Sequence, residues 1–351
     1  MRPIRPSTES SMAEPFVRPD VRRFLDYLNA LPGPRSHQAG PVEARNMMHA
    51  SRHVADAPVG DLALIRDVMA PRPAGGDGAA PASRQPKSRD APGRCDGGAV
   101  IPLRLYDARS ERDAGPVVVF FHGGGFVLGD LDTHEPFCAE LARLMDLPVI
   151  AVDYRLAPEH PWPAGPEDAI AATRWIAESP EALGRQVNGL VLAGDSAGGN
   201  LAIVTALALR DEPAAQPVLV QWPIYPAADP VKGYPSFTDF GEGYLLTREG
   251  MHWFDQCYRP DPDDWRYAPL VKSQAGMPPT LVVTASLDPI RDQGRAYAAA
   301  CVEAGVPTIF REARGNIHGF INLRKAIPSS EEDVRGCVVA LHLLLSEALG
   351  K

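Results

Sequence analysis

Residues 189–204, GLVLAGDSAGGNLAIV, are the stretch that most constrains how this chain can fold. The apolar run 189–193 predicts a fully buried strand, and residues 201–209 predict a helix packed against the sheet. The G-x-S-x-G match at 194–198 lies between them, and its glycines let the backbone turn sharply from strand to helix. Such a turn projects the Ser196 hydroxyl from the top of the sheet, at a helix N-terminus where negative charge is stabilised. The stretch therefore predicts a nucleophilic serine.

Strands and helices alternate along most of the remaining chain. The apolar patterns predict strands at 62–69, 100–106, 117–121, 148–152, 189–193, 218–222, 280–285 and 308–310. They predict helices at 135–145, 166–177, 201–209, 293–303 and 331–349. Such alternation implies an α/β fold with a mostly parallel sheet and helices on both faces. Ligands bind to sheets of this kind at the carboxyl ends of the strands.

Three segments interrupt this alternation. Helical patterns at 19–31 and 42–55 precede the first strand, and these helices either pack on the main domain or form part of a cap over the site. The aromatic-rich block 225–268 contains no convincing strand and is either a helical insertion over the site or a surface excursion with its own small core. Residues 71–99 contain almost nothing to bury and predict a flexible insertion. Its basic residues are expected in a solvated loop: Arg72, Arg84, Lys87, Arg89 and Arg94.

A serine nucleophile needs a base that takes its proton, and the base needs a carboxylate that fixes its tautomer. Three histidines follow Ser196 in the chain. His252 lies in the aromatic block, and His342 lies among the leucines of the last predicted helix. His318 lies in a loop directly after the last predicted strand, where a positioned base belongs, so we expect His318 to be the base.

The acid of this arrangement is expected after the preceding strand. Asp288 directly follows the strand predicted at 280–285. The alternative role for Asp288 is that of a helix N-cap only. Asp292 is the rival acid, about one helical turn further along the chain. We expect Asp288 to be the acid, because it lies at the strand end itself.

A glycine-rich loop, residues 122–125, follows the predicted strand at 117–121. Glycines let bare N–H groups approach a substrate, and an oxyanion formed during acyl transfer needs such donors. We expect Gly123 and Gly124 to be donors, together with the N–H of Ala197 behind the serine. The loop does not continue into a G-x-G-x-x-G pattern, and the chain contains no phosphate-binding Gly-Lys-Ser/Thr pattern.

Charge and cysteine usage exclude several other classes. The 35 Lys and Arg against 44 Asp and Glu give a net charge of −9, which argues against binding to nucleic acid. The five cysteines are widely spaced without a C-x-x-C pair, so we expect reduced thiols and neither a disulfide framework nor a zinc site. No apolar run approaches the ~20 residues of a membrane span, and no apolar segment follows the N-terminal arginines. We expect a cytoplasmic protein, with Met12 as a candidate start in place of Met1.

Five motifs occur in one order: HGGG at 122–125, DYRLAPEH at 153–160, GDSAGG at 194–199, DPIRD at 288–292 and HGF at 318–320. Together they resemble the bacterial hormone-sensitive-lipase-like esterases, in the subgroup with Asp before the serine. The resemblance implies an α/β-hydrolase fold, the same triad and oxyanion donors, no metal or cofactor, and a homodimer through the sheet edge. It also implies a helical cap.

With that cap, the chain divides into N-terminal cap helices (1–60), a core (61–224 and 269–351) and a second cap segment (225–268). The length of 71–99 is unexpected for the family and leaves the connection between cap and core open.

Other motif residues are expected to support the site. His122 is expected to fix the glycine loop by hydrogen bonding, and residues 153–155 to anchor a loop beneath the site. Tyr225, Phe126 and aromatic residues of the block 225–268 are expected to form the wall of the substrate pocket.

These features predict a carboxylesterase that hydrolyses short- to medium-chain acyl esters through an acyl-enzyme. The alternatives are an amide, lactone or carbamate hydrolase with the same triad, and a non-catalytic ligand-binding protein on this fold. A histidine base must be neutral, so activity should fall below the ordinary histidine pKa of about 6.5.

Overall fold

The structure, a computed structural model, describes residues 14–73 and 100–350. Eight strands form one sheet: β1 (Leu64–Pro71), β2 (Val100–Asp107), β3 (Gly115–Phe121), β4 (Val149–Val152), β5 (Val187–Asp195), β6 (Val218–Ile224), β7 (Thr280–Leu287) and β8 (Thr308–Ile317). The helices are α1 (Pro19–Ala30), α2 (Ser36–Ala39), α3 (Pro41–Ala55), α4 (Glu135–Met145), α5 (Ala164–Ala177), α6 (Ala197–Asp211), α7 (Pro235–Asp239), α8 (Arg248–Tyr258), α9 (Arg291–Glu303) and α10 (Ser330–Ala348).

The strands lie in the order β1-β2-β4-β3-β5-β6-β7-β8. Strand β2 pairs antiparallel with both β1 and β4, and every other neighbouring pair is parallel. The predicted α/β-hydrolase sheet, mostly parallel with helices around it, is therefore confirmed. Because parallel strands end at one edge, the loops after β3, β5, β7 and β8 meet there.

Buried side chains on the two faces of the sheet form two separate apolar clusters. Val119 of β3 faces the cluster that contains residues of α5, α6 and α9. Its neighbour Val118 faces the cluster that contains residues of α4 and α10. Both valines are fully buried, as expected for a central strand covered by helices on both sides. This two-sided burial explains why the central strands read as continuous apolar runs.

The N-terminal helices are fixed to the core by apolar and charged contacts. Val21 and Leu25 of α1 belong to a third cluster that includes Ile317, at the end of β8. Just before α1, the guanidinium of Arg18 donates to both carboxylate oxygens of Asp333, at 2.6 and 2.9 Å. The segment preceding the first strand therefore contacts the end of the sheet that carries the loop after β8.

The predicted insertion at 71–99 lies mostly outside the described residues, as do four of its basic residues, Arg84, Lys87, Arg89 and Arg94. Arg72 is described, and the prediction of a solvated side chain is wrong there. Its Nε donates to the buried carboxylate of Asp168 at 2.9 Å. Separately, none of the helices in the described ranges combines the length and the apolar composition that a bilayer crossing requires.

Candidate active site

Ser196 lies at a sharp corner between β5 and α6, with a φ of 56° and a ψ of −117°. The flanking glycines are required by backbone packing. A Cβ at Gly194 would lie 2.3 Å from the carbonyl oxygen of Gly198, and one at Gly198 would lie 1.9 Å from that of Phe121. The Ser196 N–H donates to the carbonyl of Ile224 at 2.9 Å, which anchors the corner to β6. The strained serine is thus held by its surroundings.

The three predicted triad residues lie in hydrogen-bond contact. His318 Nε2 lies 2.9 Å from Ser196 Oγ, and His318 Nδ1 lies 2.8 Å from Asp288 Oδ2. The Asp288 side chain is fully buried, and its Oδ1 accepts the N–H of Ile290 at 2.8 Å. With the proton on Nδ1 donated to the carboxylate, Nε2 is the acceptor for the serine proton. This arrangement can activate the hydroxyl.

The rival residues lie elsewhere. Asp292 accepts the N–H of Ser236 at 3.0 Å and pairs with Arg291, so it connects the core to α7. His252 is an exposed residue of α8, and His342 is an exposed residue of α10. Of these candidates, Asp288 and His318 are therefore the two that the structure brings together with Ser196.

The glycine loop differs from the prediction at Gly123. Its N–H donates to Asp195 Oδ1 at 2.7 Å, so this donor is already occupied, and the predicted oxyanion role of Gly123 is corrected. The N–H groups of Gly124, Gly125 and Ala197 donate to no group among the described residues. Gly125 and Ala197 line one cavity together with Ser196. Gly125 is thus a loop residue at the cavity, with an N–H open to a ligand, that the sequence analysis did not single out.

Asp195, directly before the nucleophile, is the centre of a buried polar network. Its Oδ1 lies 3.2 Å from Nε2 of the buried His134, and its Oδ2 accepts from the Tyr225 hydroxyl at 3.4 Å. Burial acts to raise the pKa of Asp195, but the charge and proximity of His134 and the N–H of Gly123 outweigh it. The pKa of Asp195 therefore lies below its usual value. The charged carboxylate can hold the glycine loop against the nucleophile corner.

A cavity of about 300 Å³ opens beside Ser196. Phe126 lines it, as predicted, and its ring stacks on Tyr258 with centroids 4.0 Å apart. Tyr225 does not line it, and its predicted place in the pocket wall is corrected. Its side chain is 1% exposed and packs against the His318 ring at a centroid distance of 4.7 Å. Aromatic residues of 225–268 that line the cavity are Tyr234, Phe237, Phe254 and Tyr267.

Comparison with known proteins agrees with this geometry. A family model described as the alpha/beta hydrolase fold matches residues 118–322. The carboxylic ester hydrolase LipN of Mycobacterium tuberculosis is 41% identical over 256 residues, covering 70% of this chain and 68% of LipN. The ethyl acetate hydrolase of Pseudomonas putida is 40% identical over 254 residues, covering 70% of this chain and 79% of that protein. This chain belongs to the hormone-sensitive-lipase-like esterase family of α/β-hydrolases.

Solved structures show the same similarity over nearly the whole chain. An ester hydrolase from the Lake Arreo metagenome superimposes with a TM-score of 0.80 at 33% identity, covering 95% of this chain and 100% of that one. A thermostable esterase from Pseudomonas putida gives a TM-score of 0.81 at 28% identity, with 95% and 99% covered. The esterase fold therefore extends beyond the region that the family model matches.

The remaining motif residues of this α/β-hydrolase support the glycine loop. His122 Nδ1 lies 2.8 Å from the carbonyl oxygen of Gly123, and its ring stacks on Tyr154 at 4.4 Å. The Tyr154 hydroxyl donates to the carbonyl of His122 at 2.7 Å. Arg155 pairs with the buried Asp168 at 2.9 Å, which holds the segment beneath the loop.

Proposed function

We propose that this α/β-hydrolase is a carboxylic ester hydrolase that acts through an acyl-enzyme on Ser196. The observation that supports this most directly is the chain of contacts from Asp288 through His318 to Ser196 Oγ, at 2.8 and 2.9 Å, beside a cavity. Its similarity to ester hydrolases from Mycobacterium tuberculosis and Pseudomonas putida supports the same chemistry.

In the proposed reaction, His318 Nε2 takes the Ser196 proton as Oγ attacks the ester carbonyl. Asp288 keeps the imidazole oriented and stabilises its charged form. His318 then protonates the leaving alcohol, and the acyl group remains on Ser196. Water, activated by the same histidine, attacks the acyl-enzyme and releases the acid.

We propose that the oxyanion of each tetrahedral intermediate accepts hydrogen bonds from the backbone N–H groups of Gly124, Gly125 and Ala197. Gly125 and Ala197 line the cavity with the nucleophile. Ala197 is also the first residue of α6, where the helix dipole favours negative charge. Gly123 is assigned the different role of fixing the loop through Asp195.

Residues 14–60 and 225–268 are proposed to form a cap over this site, and residues 1–13 of the predicted cap segment 1–60 lie outside the described residues. Supporting this, the cavity is lined by Phe237 of α7 and by Met251 and Phe254 of α8, all from 225–268. The helices α2 and α8 approach each other at His37 and Glu249, whose Nε2 and Oε2 lie 3.3 Å apart. A cavity of about 300 Å³ suits short to medium acyl esters.

The substrate is proposed to be a small-molecule ester, and the assembly a homodimer formed through the sheet edge. Strand β8 is that edge, and its Phe310 is 42% exposed. Light scattering of the wild type and of Phe310→Asp tests the assembly, with a dimer expected for the former and a monomer for the latter. A monomeric wild type would contradict it.

A cytoplasmic location is also proposed. The described cysteines, Cys138, Cys257, Cys301 and Cys337, are free thiols, as a reducing compartment would keep them. Cell fractionation with an antibody against the protein tests this location.

The esterase proposal is tested with p-nitrophenyl esters from acetate to laurate. Wild-type protein is expected to hydrolyse the short and medium chains, and Ser196→Ala to lose the activity. Ser110→Ala, at a position remote from the cavity lining, is the matched control and should keep it. Activity that survives Ser196→Ala would exclude Ser196 as the nucleophile. A folded wild type inactive on every ester would instead favour amides or lactones.

A further inference from the structure

Helix α8 contributes a carboxylate to the cavity that holds Ser196. Asp255 lines this cavity, and its Oδ1 accepts a hydrogen bond from the Tyr267 hydroxyl at 2.8 Å. Within the described ranges, the basic group that acts on this carboxylate is His252, three residues earlier on the same helix. No Lys or Arg side chain of the described residues forms an ion pair with Asp255.

The surroundings of Asp255 leave its charge only partly compensated. Asp255 is exposed to solvent on one side, and the protein that packs against its other side raises its pKa by partial desolvation. The hydrogen bond from Tyr267 and the charge of His252 act in the opposite direction without cancelling this effect. A cation that enters the cavity therefore meets a solvent-accessible carboxylate that no Lys or Arg of the described residues neutralises, and a charge-assisted hydrogen bond to it is favourable.

The rest of the cavity wall suits a cation with apolar substituents. The aromatic residues in its lining are Phe126, Tyr234, Phe237, Phe254 and Tyr267. The faces of aromatic rings attract ammonium groups, most strongly where water is excluded. A carboxylate among several rings therefore provides both charge and ring contacts for an alkylammonium group.

The lining also contains one cationic side chain, Lys232. Lys232 is exposed, and its Nζ lies 5.2 Å from the ring centroid of Tyr234. Its charge is thus in contact with that ring, and it does not reach Asp255 within ion-pair distance. An anionic substrate would pair with Lys232, whereas a cationic substrate would pair with Asp255. Comparing substrates of opposite charge therefore shows which of these two residues binds the substrate.

We propose that the cavity accepts esters that carry an alkylammonium group, which Asp255 and the aromatic rings hold while the ester carbonyl lies at Ser196. This rests on the proposed esterase function, since it names the substrate class of the same cavity. The opposite assignment, an anionic ester held by Lys232, is an outcome of the test.

Acetylcholine and 3,3-dimethylbutyl acetate provide a matched pair, because they have the same shape and differ in charge. The measured quantity is the ratio of their kcat/KM values in the wild type, Asp255→Asn and Asp239→Asn. Asp255→Asn keeps an acceptor for Tyr267 and removes the charge. Asp239→Asn removes one exposed charge of α7 outside the cavity lining, so it controls for the net charge of the protein.

The wild type and Asp239→Asn are expected to prefer acetylcholine, and Asp255→Asn should reduce that ratio by about tenfold. Equal ratios in the wild type and Asp255→Asn would overturn the proposal. A wild-type preference for monomethyl succinate over methyl butyrate that Lys232→Gln removes would assign the cavity to anionic esters and overturn it too. Thermal unfolding midpoints confirm that each variant is folded.

Binding measurements distinguish the proposed ammonium site from the proposed esterase function. Calorimetric titration of Ser196→Ala with both esters is expected to show tighter binding of acetylcholine, and Ser196→Ala/Asp255→Asn should lose the difference. If the wild type hydrolyses neither of these esters nor any p-nitrophenyl ester while this binding difference is present, the esterase function fails and the ammonium site stands. If both esters are hydrolysed and the difference is absent, the ammonium site fails and the esterase function stands.

Discussion

His134 Nε2 lies 3.2 Å from Asp195 Oδ1, and both side chains are buried behind the nucleophile corner. The same carboxylate oxygen accepts the N–H of Gly123 at 2.7 Å. Asp195 immediately precedes Ser196, so this contact joins the end of β5 to the glycine loop after β3. The loop that carries the proposed oxyanion donors is therefore positioned by a side chain adjacent to the nucleophile.

Replacing Asp195 with Asn should loosen this connection. Asn keeps an acceptor for the Gly123 N–H but loses the charge that faces His134. We expect kcat to fall roughly 10- to 100-fold, because the donors shift, with a smaller change in KM. Steady-state kinetics on p-nitrophenyl acetate measure this, and Asp26→Asn, an exposed substitution on α1, is the control. An unchanged kcat would contradict a positioning role.

The same substitution has a pH signature. The pKa of Asp195 lies below its usual value of 3.8, so the folded state favours the charged form. Its stabilising contribution is fully present above pH 3.8 and is lost as the pH falls through the lowered pKa of the folded state. At neutral pH, Asp195→Asn should lower the free energy of unfolding by about 1–3 kcal/mol. In urea unfolding, the difference in unfolding free energy between the wild type and Asp195→Asn should become smaller below pH 3.8. A difference that does not change with pH would contradict a charged Asp195 in the folded state.

The same substitution at Asp288 and at Asp292 tests which of the two is the acid of the triad. Asp288→Asn should lower kcat about 10³- to 10⁴-fold, because the imidazole loses the partner that fixes its tautomer and stabilises its charge. Asp292→Asn should leave kcat within a few-fold, since Asp292 contacts Ser236 and arginines rather than His318. Kinetics on one p-nitrophenyl ester compare the two variants. A larger loss in Asp292→Asn would reverse the assignment.

Much of the site follows from the order of motifs and strands. Ser196, Asp288 and His318 each follow a strand, and parallel strands bring their carboxyl ends together, so their approach could be predicted. The roles of Gly123 and Tyr225 could not be predicted from the sequence, because both residues are positioned by the side chain of Asp195. Asp195 is separated from Gly123 by 72 positions and from Tyr225 by 30 positions in the chain, and contacts over such distances leave no periodic signal in the sequence.

The secondary structure could be predicted where buried apolar residues recur at regular spacing, and less well at the edge of the sheet. Strand β8 runs from Thr308 to Ile317, well past the predicted 308–310. Its middle carries Arg311, Glu312 and Arg314, which an edge strand tolerates because β8 pairs with β7 only. The four-residue helix α2 was also missed, since four residues are too few to show helical periodicity.

Gly198 should not tolerate a side chain. A Cβ there would lie 1.9 Å from the backbone oxygen of Phe121, so β3 or the corner itself must move. Gly198→Ala should therefore lower the thermal midpoint and remove most esterase activity. Gly115→Ala is the control, because its Cβ would meet its nearest atom at 3.8 Å, an ordinary contact. Wild-type activity in Gly198→Ala would show that the corner can relax.

Gly125 and Phe254 should be energetically coupled. A Cβ at Gly125 would lie 2.3 Å from the Phe254 ring, which belongs to α8. Gly125→Ala should lower kcat/KM about tenfold or more, and adding Phe254→Ala should recover part of the loss. Gly125 has a φ of 60°, so the recovery should be incomplete. Phe237→Ala, which alters the same cavity but removes none of the three atoms nearest to a Cβ at Gly125, is the control for the double-mutant cycle.

Asp56 and Arg324 form a buried ion pair that ties the end of α3 to the loop after β8. Their contacts measure 2.8 and 2.9 Å, and both side chains are less than 5% exposed. Arg324→Met should cost about 3–5 kcal/mol of unfolding free energy, because it leaves a buried carboxylate without its partner. Asp56→Asn/Arg324→Met should recover most of this cost, since neither charge then remains buried. Urea unfolding measures both, with the exposed Lys325→Met as the control expected to change stability by less than about 1 kcal/mol. Equal losses in Arg324→Met and in the double variant would show that the cost comes from lost packing and not from the stranded charge.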